Sequence, residues 1–450
     1  MKEQYHLIGI GGIGMSGLAR ILLQKGVKVS GSDMTVSYAT DQLQKLGAKI
    51  CIGHSADNVP PSSSVVYSSD IKEENPEFKQ AKLQGLPLLH RSELLFQLMQ
   101  GYSSLLVTGT HGKTTTSSLL THLLADSGFE PSYAVGGIIQ SLSANGGYGA
   151  GPYFVAEADE SDGTFLNYNP FGAIVTNIDN DHLSFWKDFD RLKEGFKKFI
   201  DLVQSPQHLM WCGDDEALRS LKLSGFSYGF EEHNDLRIDS FRQEGWKIVF
   251  DITFEGSAYA DIEIPLVGGH NVLNAAAVFG LGLKINIPED KIRTAFTRFQ
   301  GINRRTELKG ECRGIAIFDD YAHHPTEIFA TTRAIKQAIG HRRLVIAFQP
   351  HRYTRTQDCL HEFGPAFERV DILVLTDIYA AREPAIAGIT NEILLEKIRE
   401  NGIDVRYVPH SQLSSFLANF LQPNDVLVTM GAGDITKVGP EVLKLLTDEK

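Results

Sequence analysis

A short glycine-rich loop between an apolar strand and a helix constrains the fold of this chain more than any other feature. The strand is predicted at Ser104–Thr108, the loop GTHGKTT covers Gly109–Thr115, and a helix follows. Glycines let consecutive backbone N–H groups point at phosphate oxygens, and the helix N-terminus adds a favourable dipole. The context predicts a phosphate-binding loop in an α/β domain, with Lys113 on the phosphates of ATP and Thr114 on Mg²⁺. The loop is shorter than the general GxxxxGK[ST] pattern.

Side chains that could complete a metal site follow the next two predicted strands. Tyr153–Ala156 runs into Glu157, and Ala173–Asn177 leads to His182 through the segment NIDNDH. Oxygen ligands suit Mg²⁺ best, so Glu157 is the first expected ligand and His182 a less usual second one. Without a metal, the two would be a solvated surface acid and a histidine at the start of a helix.

A second glycine pattern lies near the start of the chain. Gly9, Gly11 and Gly14 form GxGxxG after a predicted strand at Tyr5–Ile10, and Asp33 ends the next strand. This arrangement can cradle a pyrophosphate, with the acid accepting a ribose hydroxyl. The motif alone does not distinguish a site for NAD from a site for a nucleotide sugar. An NAD-dependent dehydrogenase would leave the phosphate loop without a role, and a tight packing turn would need no ligand.

Two polar segments follow predicted strands in the last third of the chain. DDYAHHPTE spans Asp319–Glu327 and FQPHRYTRT spans Phe348–Thr356. They describe the carboxyl edge of a parallel sheet, where α/β proteins place ligands. Arg352 and Arg355 could clamp a carboxylate or a phosphate. Zinc binding is disfavoured because the adjacent histidines project apart and no third ligand has a suitable spacing.

Length and strand patterns together predict three α/β domains. A chain of 450 residues is too long to fold around a single hydrophobic core. The expected domains are a Rossmann-like N-terminal domain at 1–100, a P-loop ATPase domain at 101–300 and a Rossmann-like C-terminal domain at 301–450. Residues 235–266 alternate apolar and polar side chains, which indicates a β-ribbon or small sheet added to the central domain.

The composition limits which binding partners and which cellular compartment we expect for this chain. The net charge is −12, with acids and bases interleaved, which argues against a broad nucleic-acid or anionic-membrane surface. Four separated cysteines without a CxxC pair favour neither disulfides nor zinc, so a reducing cytoplasm is the default. No run approaches the roughly 20 apolar residues that span a bilayer. We expect a cytoplasmic protein with no nucleic-acid or membrane partner.

The motifs together resemble those of the Mur ligase family over essentially the whole chain. The short phosphate loop is the form that this family uses. The matching segments are GIGGIGMSGLA at Gly9–Ala19, GTHGKTTT at Gly109–Thr116, AEADESDGTF at Ala156–Phe165, NIDNDH at Asn177–His182, GGHNVLNAAAV at Gly268–Val278, GINRR at Gly301–Arg305, DDYAHHPTE, FQPHRYTRT, and GAGDI at Gly431–Ile435.

The resemblance implies a ligase that uses ATP and Mg²⁺ to activate a carboxylate as an acyl phosphate. Its expected partners are UDP-N-acetylmuramate, L-alanine and ATP, and the chain is expected to be a monomer or a weak homodimer. A rival within the family attaches a recovered tripeptide to the same UDP-sugar, but HRYTRT and ESDGTF favour the alanine branch.

The resemblance also implies a role for each matched residue. Asn271 and Asn274 would face the adenine, and Arg305 would reach the γ-phosphate. The implied ATP-binding set is Gly109, Thr110, His111, Gly112, Lys113, Thr114, Thr115, Asn271, Asn274 and Arg305. The implied catalytic set is Lys113, His182, Arg305 and His323, and the metal set is Thr114, Glu157 and His182. The implied UDP-side contacts are Gly11, Gly12, Ile13, Gly14, Asp33, His54, Ser68, Ser69 and Arg91. The implied amino-acid side is Tyr321, His323, His351, Arg352 and Arg355.

Overall fold

The computed structural model describes residues 3–448, apart from the side chains of residues 183 and 184. Its internal contacts divide it into two compact units. The first holds the chain up to Ser240, Phe250–Ile264 and Leu273–Gln300, and the second holds Phe241–Val249, Pro265–Val272 and the chain from Gly301. Across the described residues, no helix is both long and apolar enough to cross a bilayer.

The N-terminal part is a five-stranded parallel sheet with helices, as predicted. The strands, in the order β3-β2-β1-β4-β5, are β1 Gln4–Ile8, β2 Lys28–Asp33, β3 Lys49–Ile52, β4 Ser64–Tyr67 and β5 Leu88–His90. The helices are α1 Ile13–Gln24, α2 Tyr38–Lys45, α3 Pro76–Leu83 and α4 Arg91–Met99. The first strand is shorter than predicted because Gly9 takes a φ of +73°, which ends the extended backbone.

The central sheet has ten strands in the order β15-β14-β13-β12-β11-β10-β6-β9-β7-β8. They are β6 Ser103–Thr108, β7 Ser132–Ile139, β8 Ala144–Gly147, β9 Tyr153–Glu157, β10 Gly172–Val175, β11 Leu209–Cys212, β12 Phe226–Gly229, β13 Leu236–Glu244, β14 Lys247–Phe254 and β15 Ser257–Ile264. The helices are α5 Lys113–Asp126, α6 Leu183–Trp186, α7 Phe189–Asp201, α8 Glu216–Ser220, α9 Gly269–Lys284 and α10 Glu289–Arg298. The predicted β-ribbon is β13–β15, and it continues this sheet at one end.

The C-terminal sheet has six strands in the order β16-β17-β21-β18-β19-β20, and only β16 is antiparallel to its neighbour among the described pairs. They are β16 Glu307–Cys312, β17 Ile315–Asp320, β18 Leu344–Phe348, β19 Ile372–Leu375, β20 Val405–Tyr407 and β21 Val426–Met430. The helices are α11 Pro325–Ile339, α12 Tyr353–Asp358, α13 Phe363–Ala366, α14 Asn391–Arg399, α15 His410–Phe420 and α16 Val438–Asp448. Strand β18 is buried on both faces, since its alternate residues join two separate apolar clusters.

Within the first unit, helix α1 packs closely on strand β8. Asn145 donates from Nδ2 to the carbonyl oxygen of Ile13 and to the Ser16 hydroxyl, the latter at 3.1 Å. A Cβ on Gly146 would lie 2.6 Å from the Cα of Gly17, closer than real Cβ contacts come. The start of α1, which carries the glycine fingerprint, is therefore fixed against the central sheet.

Candidate active site

The glycine-rich loop after β6 is built from two left-handed glycines. Gly109 has a φ of +134° and Gly112 a φ of +84°, which other residues rarely adopt. A Cβ on Gly109 would lie 2.0 Å from Thr176 Oγ1, and one on Gly112 would lie 2.8 Å from Asn274 Oδ1. The loop therefore requires glycine at both positions, and its helix α5 begins directly at Lys113.

Polar contacts hold the loop against the segment after β10. The backbone N–H of Thr110 donates to the Asn177 carbonyl oxygen at 3.0 Å, and that of His111 donates to Asn177 Oδ1 at 2.8 Å. His111 Nε2 also lies 3.0 Å from Asp179 Oδ2. Thr115 is buried in the first turn of α5. The predicted phosphate-loop residues are thus brought together at the carboxyl edge of the sheet.

Lys113 is bound to a carboxylate that the sequence analysis did not assign. Its Nζ donates to both carboxylate oxygens of Glu160 at 2.9 Å, and Glu160 is fully buried. Burial favours a lower pKa for Lys113, but the carboxylates of Glu160 and Asp159 outweigh it and raise that pKa. The lysine is therefore a fixed positive charge beside the loop. The acidic motif AEADESD, which includes Glu160, is the sequence feature that could have indicated this partner of Lys113.

The predicted metal ligands Thr114 and Glu157 lie together. Thr114 Oγ1 donates to Glu157 Oε2 at 3.3 Å, and Ser117 donates to Oε1 at 3.1 Å. A Cβ on Gly136 would lie within 2.7 Å of Glu157 and 2.9 Å of Thr114, so the absence of a side chain there leaves these oxygens reachable. Hydroxyl and carboxylate oxygens fit Mg²⁺.

The third predicted ligand, His182, has a φ of +59°, a left-handed conformation uncommon outside glycine. Its Nε2 lies 3.6 Å from both Glu160 Oε1 and Asp181 Oδ2. His182 thus lies beside the carboxylate that binds Lys113. Its predicted role as a metal ligand stays a prediction.

The two asparagines predicted to face adenine differ in surroundings. Asn274 is buried beside Gly112 in the first unit. Asn271 belongs to the second unit, where its Nδ2 donates to the Val267 carbonyl oxygen at 2.8 Å.

The N-terminal glycine loop is held by the acid that ends β2. The Gly11 N–H donates to Asp33 Oδ2 at 2.8 Å, and the Met34 N–H donates to Oδ1 at 2.8 Å. The carboxylate therefore orders the loop itself, a role that the ribose prediction did not include. Gly12 and Ile13 are exposed at the loop tip, open to a ligand.

Arg91 and Ser69 connect this loop to the acidic motif of the central sheet. Arg91 Nη2 donates to Asp159 Oδ2 at 2.7 Å, and Ser69 donates to Asp162 Oδ2 at 2.9 Å. A Cβ on Gly14 would lie 3.1 Å from Arg91 Nη1. His54 lies after β3 and Ser68 after β4, both at the carboxyl edge of the N-terminal sheet. The predicted UDP-side residues therefore share one edge.

A cavity of about 170 Å³ lies within the first unit, between the glycine fingerprint and Glu157. Its lining includes the fingerprint residues Ile13 and Gly14 and, towards the phosphate loop, Arg91, Gly136, Glu157, Asp159 and Tyr168. Burial raises the pKa of the Tyr168 hydroxyl, so this group is a neutral donor or acceptor. A molecule bound on the glycine fingerprint can thus extend to the acid beside the phosphate loop.

The second unit gathers the polar residues after β17 and β18. His323 Nδ1 lies 2.9 Å from the Tyr321 carbonyl oxygen, and the rings of His323 and His351 are 5.7 Å apart. Arg355 Nη1 lies 3.5 Å from His351 Nδ1. Arg305 Nη1 is 3.8 Å from Glu327 and its guanidinium lies over the Tyr321 ring.

Both histidines of this cluster are neutral near pH 7. Burial lowers the pKa of His323 to about 4, with Arg355 adding to it and Glu327 opposing it. Burial, His323 and the nearby arginines lower the pKa of His351 to about 3. Because both rings are neutral, the positive charge of this cluster comes from its arginines, among them Arg304, Arg305 and Arg355.

Arg352 lies at the edge of this cluster, where its charge helps to lower the pKa of His351. It has a φ of +72° at the start of α12, is 45% exposed, and its guanidinium lies 3.9 Å from Glu383. Two residues that the sequence analysis did not assign complete the surroundings. Arg304 donates to the Gly431 carbonyl oxygen at 2.6 Å, and Tyr379 stacks on His351 at 5.7 Å.

Comparisons with known proteins match this architecture along the chain. The description "Mur ligase family, catalytic domain" matches residues 4–103, "Mur ligase middle domain" matches 107–282, and "Mur ligase, glutamate ligase domain" matches 304–433. The chain belongs to the Mur ligase family. The predicted three-domain α/β fold is thereby confirmed.

Relatives within the Mur ligase family match over full length. A UDP-N-acetylmuramate–L-alanine ligase of Protochlamydia amoebophila is 50% identical over 100% of both chains. The crystal structure of a UDP-N-acetylmuramate–alanine ligase of Thermotoga maritima superposes with a TM-score of 0.88, at 27% identity over 99% of this chain and 100% of that one. A murein peptide ligase of Psychrobacter arcticus has a TM-score of 0.75 at 22% identity over 100% of both chains, which shows the shared fold alone.

Proposed function

We propose that this chain is an ATP-dependent ligase that joins the carboxylate of UDP-N-acetylmuramate to the amine of L-alanine through an acyl phosphate. The observation that carries the proposal is the cavity that links the fingerprint residue Gly14 and Arg91 to Glu157, which accepts a hydrogen bond from Thr114 of the phosphate loop. The full-length relatives named for this reaction support it.

The first step needs charge neutralisation, because a phosphoryl group passes to an anionic carboxylate. Lys113 supplies one fixed charge at the loop, and its carboxylate partner Glu160 keeps it protonated. When bound by Thr114 and Glu157, Mg²⁺ would neutralise charge on the phosphate oxygens. Phosphate then becomes the leaving group when the amine attacks.

The second step needs an oriented amine, and we propose the second unit for that substrate. Arg355 would bind the alanine carboxylate through a charge-assisted hydrogen bond. His323 Nδ1 faces the Tyr321 carbonyl oxygen, so Nε2 of the neutral ring carries the lone pair. With a pKa of about 4 the ring is a weak base. It could accept the proton of the attacking amine only transiently before releasing it.

Phosphate release from ATP tests the reaction. We expect release with UDP-N-acetylmuramate plus L-alanine, and little with either compound alone. Activity with a tripeptide and none with alanine would assign the chain to the rival ligase reaction. NAD binding without ATP binding would instead revive the dehydrogenase. Magnesium, a cytoplasmic location and a monomer or weak homodimer remain predictions.

Replacing Arg355 with alanine is expected to raise the KM for L-alanine by about tenfold or more, because a charge-assisted hydrogen bond is lost. Initial rates at varied alanine and at varied ATP measure this. The matched control is Arg369→Ala, since Arg369 is exposed and contacts its neighbour Glu368. A raised KM for ATP with an unchanged KM for alanine would contradict the assigned role.

A further inference from the structure

The N-terminal domain contains a buried carboxylate, Glu77, that the proposed reaction does not use. Glu77 lies in the first turn of α3 with no exposed surface. Its Oε2 accepts from His6 Nε2 at 3.2 Å and from the Ser32 hydroxyl at 2.6 Å. Its Oε1 accepts from Asn58 Nδ2 at 2.7 Å and from the Ser55 N–H at 3.2 Å.

These donors keep Glu77 ionised. Burial favours a raised pKa, but hydrogen bonds from His6, Ser32 and Asn58 outweigh burial and lower the pKa of Glu77 to about 2. An ionised carboxylate only accepts hydrogen bonds. Every group facing it must therefore donate.

This requirement fixes which ring nitrogen of a nearby histidine, His54, donates a hydrogen bond. A hydroxyl has a single hydrogen, and the hydrogen of Ser32 is used by Glu77. His54 Nδ1 lies 2.9 Å from the same Ser32 oxygen, so Nδ1 must donate to it. The neutral ring then has its lone pair on Nε2, which has no hydrogen-bond partner among the described residues 3–448.

His54 lies where a nucleoside would bind if the proposed function holds. It follows β3, and the neighbouring Gly53 N–H donates to the Asp33 carbonyl oxygen at 2.8 Å. Asp33 in turn binds the N–H of Gly11 in the glycine fingerprint. In this type of sheet, the acid after the second strand marks the ribose side of the bound pyrophosphate. His54 is thus on the nucleoside side of the loop.

We propose that Glu77, acting through Ser32, is a positioning residue that keeps His54 Nε2 as a hydrogen-bond acceptor for a donor on the nucleoside half of the UDP substrate. That donor is either an N–H of the base or an O–H of the ribose. The inference rests on the proposed function, because it takes the bound nucleotide from there. An acceptor at this point would favour uracil, whose N3 carries a hydrogen, over cytosine, whose N3 does not.

The variant Glu77→Gln is the sharpest test because it replaces one carboxylate oxygen with an NH₂ group and keeps the shape of the side chain. The Ser55 N–H can only donate, so the glutamine oxygen should face it and the NH₂ group should face Ser32. Ser32 would then turn its hydrogen to His54, which would accept at Nδ1 and carry its proton on Nε2. We expect the Kd for UDP to rise by about tenfold or more while the Kd for ATP stays within about twofold.

Ser30→Ala is the matched control. Ser30 is also buried and lies 3.0 Å from His6 Nδ1, at the end of the network away from His54. Its Kd for UDP should stay within about twofold of the wild-type value. Calorimetric titrations with UDP, CDP, 2′-deoxy-UDP and 3′-deoxy-UDP identify the donor. CDP loses affinity if the base donates, and the matching deoxy compound loses it if a ribose hydroxyl donates. Equal affinity for all four would overturn the inference.

Nitrogen-15 NMR of the wild-type chain bound to UDP provides a second measurement that does not depend on the folding of Glu77→Gln. The His54 signals, assigned by their loss in His54→Ala, should show a protonated Nδ1 and a bare Nε2. A protonated Nε2, or a folded Glu77→Gln that binds UDP like the wild type, would overturn the inference while leaving the ligase reaction standing. A wild-type chain that binds no UDP would contradict the proposed function and the inference together.

Discussion

Replacing Lys113 with alanine is expected to lower ligation by at least about 10³-fold, because the loop loses its fixed charge beside the transferred phosphoryl group. Phosphate release with saturating substrates measures the loss. Near-normal turnover by a folded variant would contradict the assignment of the phosphate loop.

The same substitution should also destabilise the fold, since it leaves Glu160 buried without its main partner. Removing one member of a buried ion pair costs about 3–5 kcal/mol. Adding Glu160→Gln to Lys113→Ala should recover much of the melting temperature without recovering activity. A double variant that regains turnover would mean that Lys113 serves the fold and not the reaction.

Glu157→Gln is expected to reduce turnover by about 10²- to 10³-fold, because a neutral amide replaces the carboxylate proposed to hold Mg²⁺. The variant should also need a higher magnesium concentration for half-maximal activity. Rates measured across a magnesium titration give both quantities.

Ser117→Ala provides the matched control for this prediction. Ser117 donates to Glu157 from the next turn of α5, so its loss changes the carboxylate's support and not its charge. We expect a reduction of about tenfold or less. Equal losses in Ser117→Ala and Glu157→Gln would indicate that the carboxylate organises the loop rather than a metal.

Much of the fold follows from the sequence because its central strands are apolar on both faces. The polar segment FQPHRYTRT follows a strand as predicted, and that strand is β18, Leu344–Phe348. The prediction Tyr5–Ile10 is too long, because the left-handed Gly9 that ends the strand looks like any other glycine in the sequence. The edge strand Glu307–Cys312 was missed, since its half-solvated residues ELKGEC show no apolar pattern.

The motifs of the candidate site could be predicted from the sequence, but most contacts between their side chains could not. Thr114 and Glu157 meet as expected, because neighbouring parallel strands end at one edge. The partner of Lys113 could not be predicted, since three acids follow β9 and only the folded chain selects Glu160. Tyr379 was missed because its stacking on His351 joins segments that are distant in sequence.

The close approach of Gly17 to Gly146 has a consequence for how this chain can change. A methyl group at position 146 would have to push helix α1 away from β8, and with it the glycine fingerprint, whose last glycine, Gly14, lies in the first turn of that helix. Such a shift would alter the distance that a bound UDP-sugar must span to bring its carboxylate to the phosphate loop. A side chain at position 146, which does not line the cavity, should therefore misalign the reactants while leaving every reacting group chemically unchanged.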